Sequence, residues 1–245
     1  MEQVRVASFS PLLLLLAPNA YGRLIGWSGL SLAKTYTQVH PDVDLIVLEA
    51  ADSVGGVWAA HRIYPGLRTN SILGSYESPD FPMSVEKFGV KPGEHIPGTV
   101  VHQYMTDFAK TFDIWRRIRF RTKVDEIKQA GDGKWVLKLT TFHSNNEKET
   151  TDTKSITVDK LVIATGVTGN PNMPDIPGAD TFGAPLFHAK EFLQQKELLK
   201  TANKVIVYGG SKSAVSIQDF FVFQGGLFPF SILFKDGEAT WLRES

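Results

Sequence analysis

The sequence holds no cysteine, no excess of either charge and no long apolar run. Without cysteine there is no disulfide, no thiolate nucleophile and no Cys-ligated metal, although the compartment stays open because a secreted protein need not carry disulfides. Lys+Arg number 26 and Asp+Glu 26, so the formal charge is zero and the basic surface that a phosphate backbone demands is missing. Nucleic acid is therefore not an expected partner. No stretch approaches the ~20 apolar residues that span a bilayer. Disorder and collagen-like structure are excluded too, since 42% hydrophobic, 11% aromatic and 21% charged residues make an ordinary globular composition. With 245 residues the chain has enough material for one large domain or up to two smaller ones.

The N-terminal segment admits two readings. Pro11, the run Leu12 to Leu16 and the small residues Ala17-Pro18-Asn19-Ala20 follow Arg5. A continuous apolar run suits the first buried strand of an α/β domain, with the flanking residues as an extension. The alternative is a secretory signal cut after Ala20, with a positive start that Glu2 weakens. The strand reading goes with a cytoplasmic location; secretion or membrane association is the alternative.

From Gly26 to Tyr36 the sequence reads as a glycine turn entering a helix with small residues on its buried side. Leu45-Ile46-Val47-Leu48-Glu49 then reads as an apolar strand ending in an acid, twenty residues past Gly29. A dinucleotide-binding βαβ unit places its ribose-binding acid about 20 residues after its glycines. The chemistry is direct: glycines admit the pyrophosphate, the helix N-terminus supplies N–H donors, and the carboxylate accepts ribose hydroxyls. A G-x-G-x-x-G ending at Gly29 would use Gly26 but has Leu24 at its first position. Either Leu24 replaces that glycine or Gly22 serves through an insertion, and both impair the tight turn.

After the acid come Gly55-Gly56-Val57-Trp58, then Leu67-Arg68-Thr69-Asn70 and Phe81-Pro82. This order resembles the class B flavin-dependent monooxygenases, meaning the flavin-containing monooxygenases and their Baeyer–Villiger relatives. Leu67-x-Thr69-Asn70 and Phe81-Pro82 are closer to the N- and S-oxygenating branch. The resemblance implies that Gly55, Gly56 and Trp58 lie against the flavin and its pyrophosphate. It also implies that Asn70, the one catalytic candidate, sits over the reactive face of the isoalloxazine.

Val100 to Phe112 carries apolar residues at helical spacing and reads as a packing helix, with His102 as a surface or capping residue rather than a catalytic one. Trp115 to Val124 alternates basic and apolar residues, as one half-exposed strand would. The resemblance puts the FAD adenine on the main chain around Val124. Lys134 to Thr140 and Ser155 to Val158 read as meander strands around a polar hairpin or loop, Ser144 to Lys154. Lys160 to Ile163 is a buried strand leading into Ala164-Thr165-Gly166, which is similar to the Ala-Thr-Gly where two-dinucleotide flavoproteins leave the FAD domain beside the cofactor. Gly169 to Gly178, rich in proline, reads as an inter-domain linker.

Phe182-x-Ala184-x-x-x-His188-x-x-x-Phe192 resembles the family fingerprint with Ala184 in place of glycine, implying that His188 links domains and cofactors structurally and does not shuttle protons. Lys204 to Tyr208 then reads as a strand entering a second phosphate turn, Gly209-Gly210-Ser211-Lys212-Ser213-Ala214. Gly209 makes the turn, Ser211 and Ser213 can bond phosphate oxygens, and Ala214 lets a helix pack closely. The family uses this form for NADPH. Ser231 to Phe234 reads as the next strand, and Lys235 after it is a cation where an NADP enzyme holds the 2′-phosphate.

The expected fold is α/β, a two-dinucleotide-binding-domain flavoprotein with a Rossmann-like FAD domain, a β-meander and an incomplete NADPH domain. Residues 1–22 form an extension or first strand, 23–168 the FAD domain, and 169–245 a truncated NADPH domain. The implied enzyme uses FAD and NADPH to insert one oxygen atom of O2 into a small organic substrate through a flavin C4a-hydroperoxide, with secondary metabolism as one setting. The resemblance covers residues 24 to 243 but only the first half or so of a family member. An inactive, nucleotide-binding or partner-binding relative is the alternative, and association with another chain would cover the truncated domain.

Overall fold

The apolar runs of the N-terminal half become parallel strands, and the polar run after them becomes a long hairpin. A computed structural model describes residues 12–15, 25–145, 148–166, 171, 173–202, 205–209, 212–214, 216–217, 230–233 and 239–241. In chain order the elements begin with β1 (Leu12–Leu15), α1 (Trp27–Val39), β2 (Leu45–Leu48), β3 (Arg68–Ile72), α2 (Val85–Phe88), β4 (His95–Pro97) and α3 (Gly98–Thr111). They continue with β5 (Ile118–Arg119), β6 (Thr122–Gln129), β7 (Trp135–Asn145), β8 (Lys148–Val158) and β9 (Lys160–Ile163). The last are α4 (Lys196–Thr201), β10 (Val205–Tyr208), β11 (Phe230–Leu233) and β12 (Ala239–Trp241). The chain packs as two units, one of residues 1–60 and 102–169, the other of 61–101 and 170–245. Residues 61–101, inside the stretch expected to form the FAD domain, group with the second unit.

In the first unit a four-stranded sheet runs β5-β2-β1-β9 with every described pairing parallel. Leu12 to Leu15 thus take the strand reading, at the centre of the sheet between β2 and β9. Helix α1 connects β1 to β2 and buries Gly29, Leu30, Ala33 and Lys34, a set spaced to lie on one helical face. Helix α3 buries Val101, Tyr104, Met105 and Phe108, the residues whose spacing predicts it. Trp27 stacks on Tyr104 with ring centroids 5.5 Å apart and so joins the two helices.

The meander β6-β7-β8 is antiparallel throughout. Its Val124, Leu137, Leu139 and Val158 form one apolar cluster with Leu48 of β2, against which Ile46 and Leu161 also pack. Full burial of side chains of this size is worth roughly 1.5–3 kcal/mol each, which holds meander and parallel sheet together.

One expectation needs correction. The alternating stretch Trp115 to Val124 is not one strand: Trp115–Arg117 is a single 3-10 turn, β5 joins the parallel sheet, and β6 starts the meander. The break is at Arg121, a non-glycine residue at φ 52°, which turns the chain from one sheet to the other. The polar run Ser144 to Lys154 takes the hairpin reading, since β7 and β8 pair continuously from Trp135/Val158 to Asn145/Lys148. Threonine-rich residues suit such an exposed strand.

In the second unit β3 pairs with β4 antiparallel and with an irregular register. Strand β10 pairs parallel with β11, and β11 antiparallel with β12. Phe192, Leu199, Val207, Ala214 and Ile217 form its apolar cluster, and Tyr64 and Phe187 pack on it.

Candidate functional site

Ile25, fully buried where the chain enters α1, is the centre of the site in the first unit. Its N–H donates to Oε2 of Glu49, and its carbonyl accepts the N–H of Gly55 at 2.8 Å. Glu49 follows β2 directly and is itself fully buried; its Oε1 accepts the Ala51 N–H at 2.7 Å. A buried carboxylate needs such donors.

Gly26 caps α1 with extended backbone and no side-chain bond, so the first N–H groups of the helix are not taken up by a capping side chain there. Gly29 serves packing: a Cβ there would stand 3.0 Å from Ile25 Cγ1 and 3.6 Å from Ala164 Cβ. This is the role of the last glycine in the dinucleotide fingerprint, a close helix approach. Leu24 and Gly22 lie outside the described residues.

Gly55 and Gly56 both have positive φ, 123° and 63°. A Cβ on Gly55 would fall 2.7 Å from the Trp58 carbonyl oxygen, so that turn admits only glycine. The Trp58 N–H closes it onto the Gly55 carbonyl at 2.9 Å, and the indole is half-buried. His102 Nδ1, on α3, lies 3.1 Å from the Trp58 carbonyl oxygen. Sequence reasoning gave His102 a surface or capping role and could not place it here, because the two residues are 44 apart in the chain.

Val124 is fully buried on β6, the outer strand of the meander. Thr165 is half-buried, and Gly166, exposed at φ 67°, leaves β9. Thus Gly26, Gly29, Glu49, Gly55, Gly56, Trp58, Val124, Thr165 and Gly166 all belong to the first unit.

Asn70 belongs to the second unit, exposed on β3. Its neighbour Thr69 is buried and accepts the Ile96 N–H at 3.0 Å, fastening β3 to β4. The stretch the sequence reads as a second phosphate turn has, among its described residues, β10, Gly209 at φ 124° and helical residues 212–214. Ser213 is exposed and Ala214 is buried in the apolar cluster. Lys212 Nζ donates to the Arg68 carbonyl at the start of β3. Ser211 and Lys235 lie outside the described residues.

His188 caps a short 3-10 turn, with Nδ1 accepting the Lys190 N–H at 3.1 Å. Burial, then the Lys190 charge, holds its pKa below the ordinary histidine value, against a weaker opposite pull from Glu191. A neutral ring with a free lone pair on Nδ1 is what the cap requires.

Among the described residues no helix is long and apolar enough to cross a membrane. An FAD-dependent monooxygenase of Pyrenophora dematioidea is 36% identical over 201 residues, which cover 77% of this chain and 34% of that protein. The chain spans about a third of the length of the curated relatives it matches. Among solved structures, the polycyclic ketone monooxygenase of Thermothelomyces thermophila superposes with a TM-score of 0.65 at 20% identity, over 91% of this chain and 35% of that one. An oxidized steroid monooxygenase bound to NADP gives 0.58 at 21% identity, over 91% and 38%. The fold is that of the two-dinucleotide-domain flavin monooxygenases. The model of the flavin-binding monooxygenase-like family matches residues 24–219, four-fifths of the sequence, and the chain belongs to that family.

Proposed function

We propose that this chain is the nucleotide-binding part of an FAD- and NADPH-dependent monooxygenase that inserts one oxygen atom of O2 into a small organic substrate. The observation that carries this reading is the pair of hydrogen bonds at the Ile25 backbone, its N–H donating to the Glu49 carboxylate and its carbonyl accepting from Gly55 N–H. It joins an acid, a helix N-terminus and a glycine turn through one backbone residue. The residues fit FAD: small Gly26 caps the start of α1, Gly55 and Gly56 form a turn with positive φ, and Glu49 is a carboxylate held by N–H donors.

On this reading the Gly26–Gly29 turn and the start of α1 take the pyrophosphate, and Glu49 takes the ribose hydroxyls. Gly55, Gly56 and Trp58 lie against the flavin, the main chain at Val124 holds the adenine, and Thr165 and Gly166 flank the cofactor. Asn70 serves the reacting face. In the second unit Gly209, Ser211, Ser213 and Ala214 receive the NADPH phosphates, and Lys235 the 2′-phosphate. The cofactor pair supplies reducing equivalents and activates O2, while the protein binds, orients and excludes water. Residues 23–168 are the FAD domain and 169–245 the NADPH domain, in a cytoplasmic protein.

The test is the visible absorbance of the gel-filtered chain after incubation with FAD, then anaerobic NADPH. Retained yellow colour that bleaches with NADPH supports both sites; a folded but colourless chain overturns the reading.

A further inference from the structure

We propose that His102 is a positioning residue for the Gly55–Trp58 turn, holding the Trp58 carbonyl with its Nδ1–H. This rests on the reading that the turn lies against FAD. A carbonyl oxygen only accepts, so at 3.1 Å the hydrogen belongs to Nδ1. That carbonyl is the one that comes so close to Gly55 that a Cβ there would be 2.7 Å from it. The turn is therefore tied at both ends: the Gly55 N–H to Ile25, and the Trp58 C=O to His102. Between the ties lie Gly56 and Val57, whose backbone direction follows from theirs.

The support behind His102 is stiff. On either side of it α3 buries Val101, Tyr104 and Met105, and Tyr104 stacks on Trp27 at the start of α1. The same two helices thus bear on both glycine turns: α1 follows Gly26, and α3 presents the donor that fixes the Gly55 turn. A donor on a packed helix holds a fixed direction, which a donor on a loop does not.

Two measurements on the full chain test this. Nitrogen NMR of the neutral His102 ring, assigned by comparison with His102→Asn, should show the proton on Nδ1; an unprotonated Nδ1 overturns the proposal whether or not FAD binds. FAD titration should give a dissociation constant about tenfold higher for His102→Phe, which keeps a ring without a donor. His102→Asn, whose amide N–H takes the place of Nδ1–H, should return to within about threefold of the natural chain. Equal affinity for His102→Phe and the natural chain overturns the positioning role, as does His102→Asn binding as weakly as His102→Phe. A protonated Nδ1 in a folded chain that binds no FAD supports the hold on Trp58 and overturns the cofactor reading instead.

Discussion

Gly55 donates its N–H to the carbonyl of Ile25 at 2.8 Å, and Ile25 in turn donates to the carboxylate of Glu49. Glu49 is thus part of the scaffold as well as a candidate ribose ligand. Glu49→Ala strands the buried Ile25 N–H and should cost about 1–3 kcal/mol in urea unfolding. Glu49→Gln keeps one acceptor oxygen and should cost less, while both variants lose retained flavin. If Glu49→Ala unfolds like the natural chain, the carboxylate does not hold the turn.

Glycine substitutions separate backbone strain from collision. Gly55 and Gly133 both have positive φ, but a Cβ meets the Trp58 backbone at the first and nothing within 4 Å at the second. Gly133→Ala should cost about 1 kcal/mol for its left-handed backbone alone. Gly55→Ala should cost a further 1–3 kcal/mol or so, because the turn must open. Equal melting temperatures for the two variants would show that the turn gives way freely.

The depressed pKa of His188 makes stability depend on pH. Burial and the Lys190 charge favour the neutral ring in the folded chain, and Glu191 opposes them more weakly. The contribution is present above the unfolded value of about 6.5 and is lost as pH falls through the lower folded value. His188→Asn keeps a capping acceptor but does not titrate. Thermal melts from pH 8 to pH 5 should therefore show the natural chain falling relative to His188→Asn, and parallel curves would remove the effect.

Asp125 behaves oppositely in composition but alike in sign. Burial pushes its pKa up, yet the bond from Thr140 at 2.6 Å and the contact with Lys123 at 3.0 Å outweigh it and hold the carboxyl below its ordinary value. Its contribution is present above the ordinary carboxylate value and lost as pH falls through the folded one. Thr140→Val should cost about 1 kcal/mol at neutral pH, and the difference should shrink in acid as Asp125 protonates. A difference that does not change with pH would assign the cost to packing.

Residue types at the site were legible where local chemistry demands them. Gly55 must be glycine because the Trp58 backbone stands where a Cβ would be, Gly29 leaves a Cβ only a tight fit against Ile25, and Glu49 follows a strand twenty residues past Gly29. His102 was not legible, since its role depends on where α3 packs rather than on neighbours in sequence. Nor was the break at Arg121, because a left-handed arginine carries no turn signal of its own. Parallel strands β1, β2 and β9 followed from their apolar runs, whereas β5, a two-residue strand within an alternating stretch, did not. The length of β7 and β8 did not, because threonine and charge read equally as loop.

The left-handed residue at Arg121 has a thermodynamic consequence. As the chain crosses from β5 to β6, the Glu49 N–H bonds to the Arg119 carbonyl, the Arg121 N–H to the Ala51 carbonyl and the Thr122 N–H to the Glu49 carbonyl. Neither sheet can fray at this junction without releasing backbone bonds of the other. Solvent exchange of the Glu49, Arg121 and Thr122 amides should therefore occur in one opening event, with parallel sheet and meander behaving as a single cooperative unit.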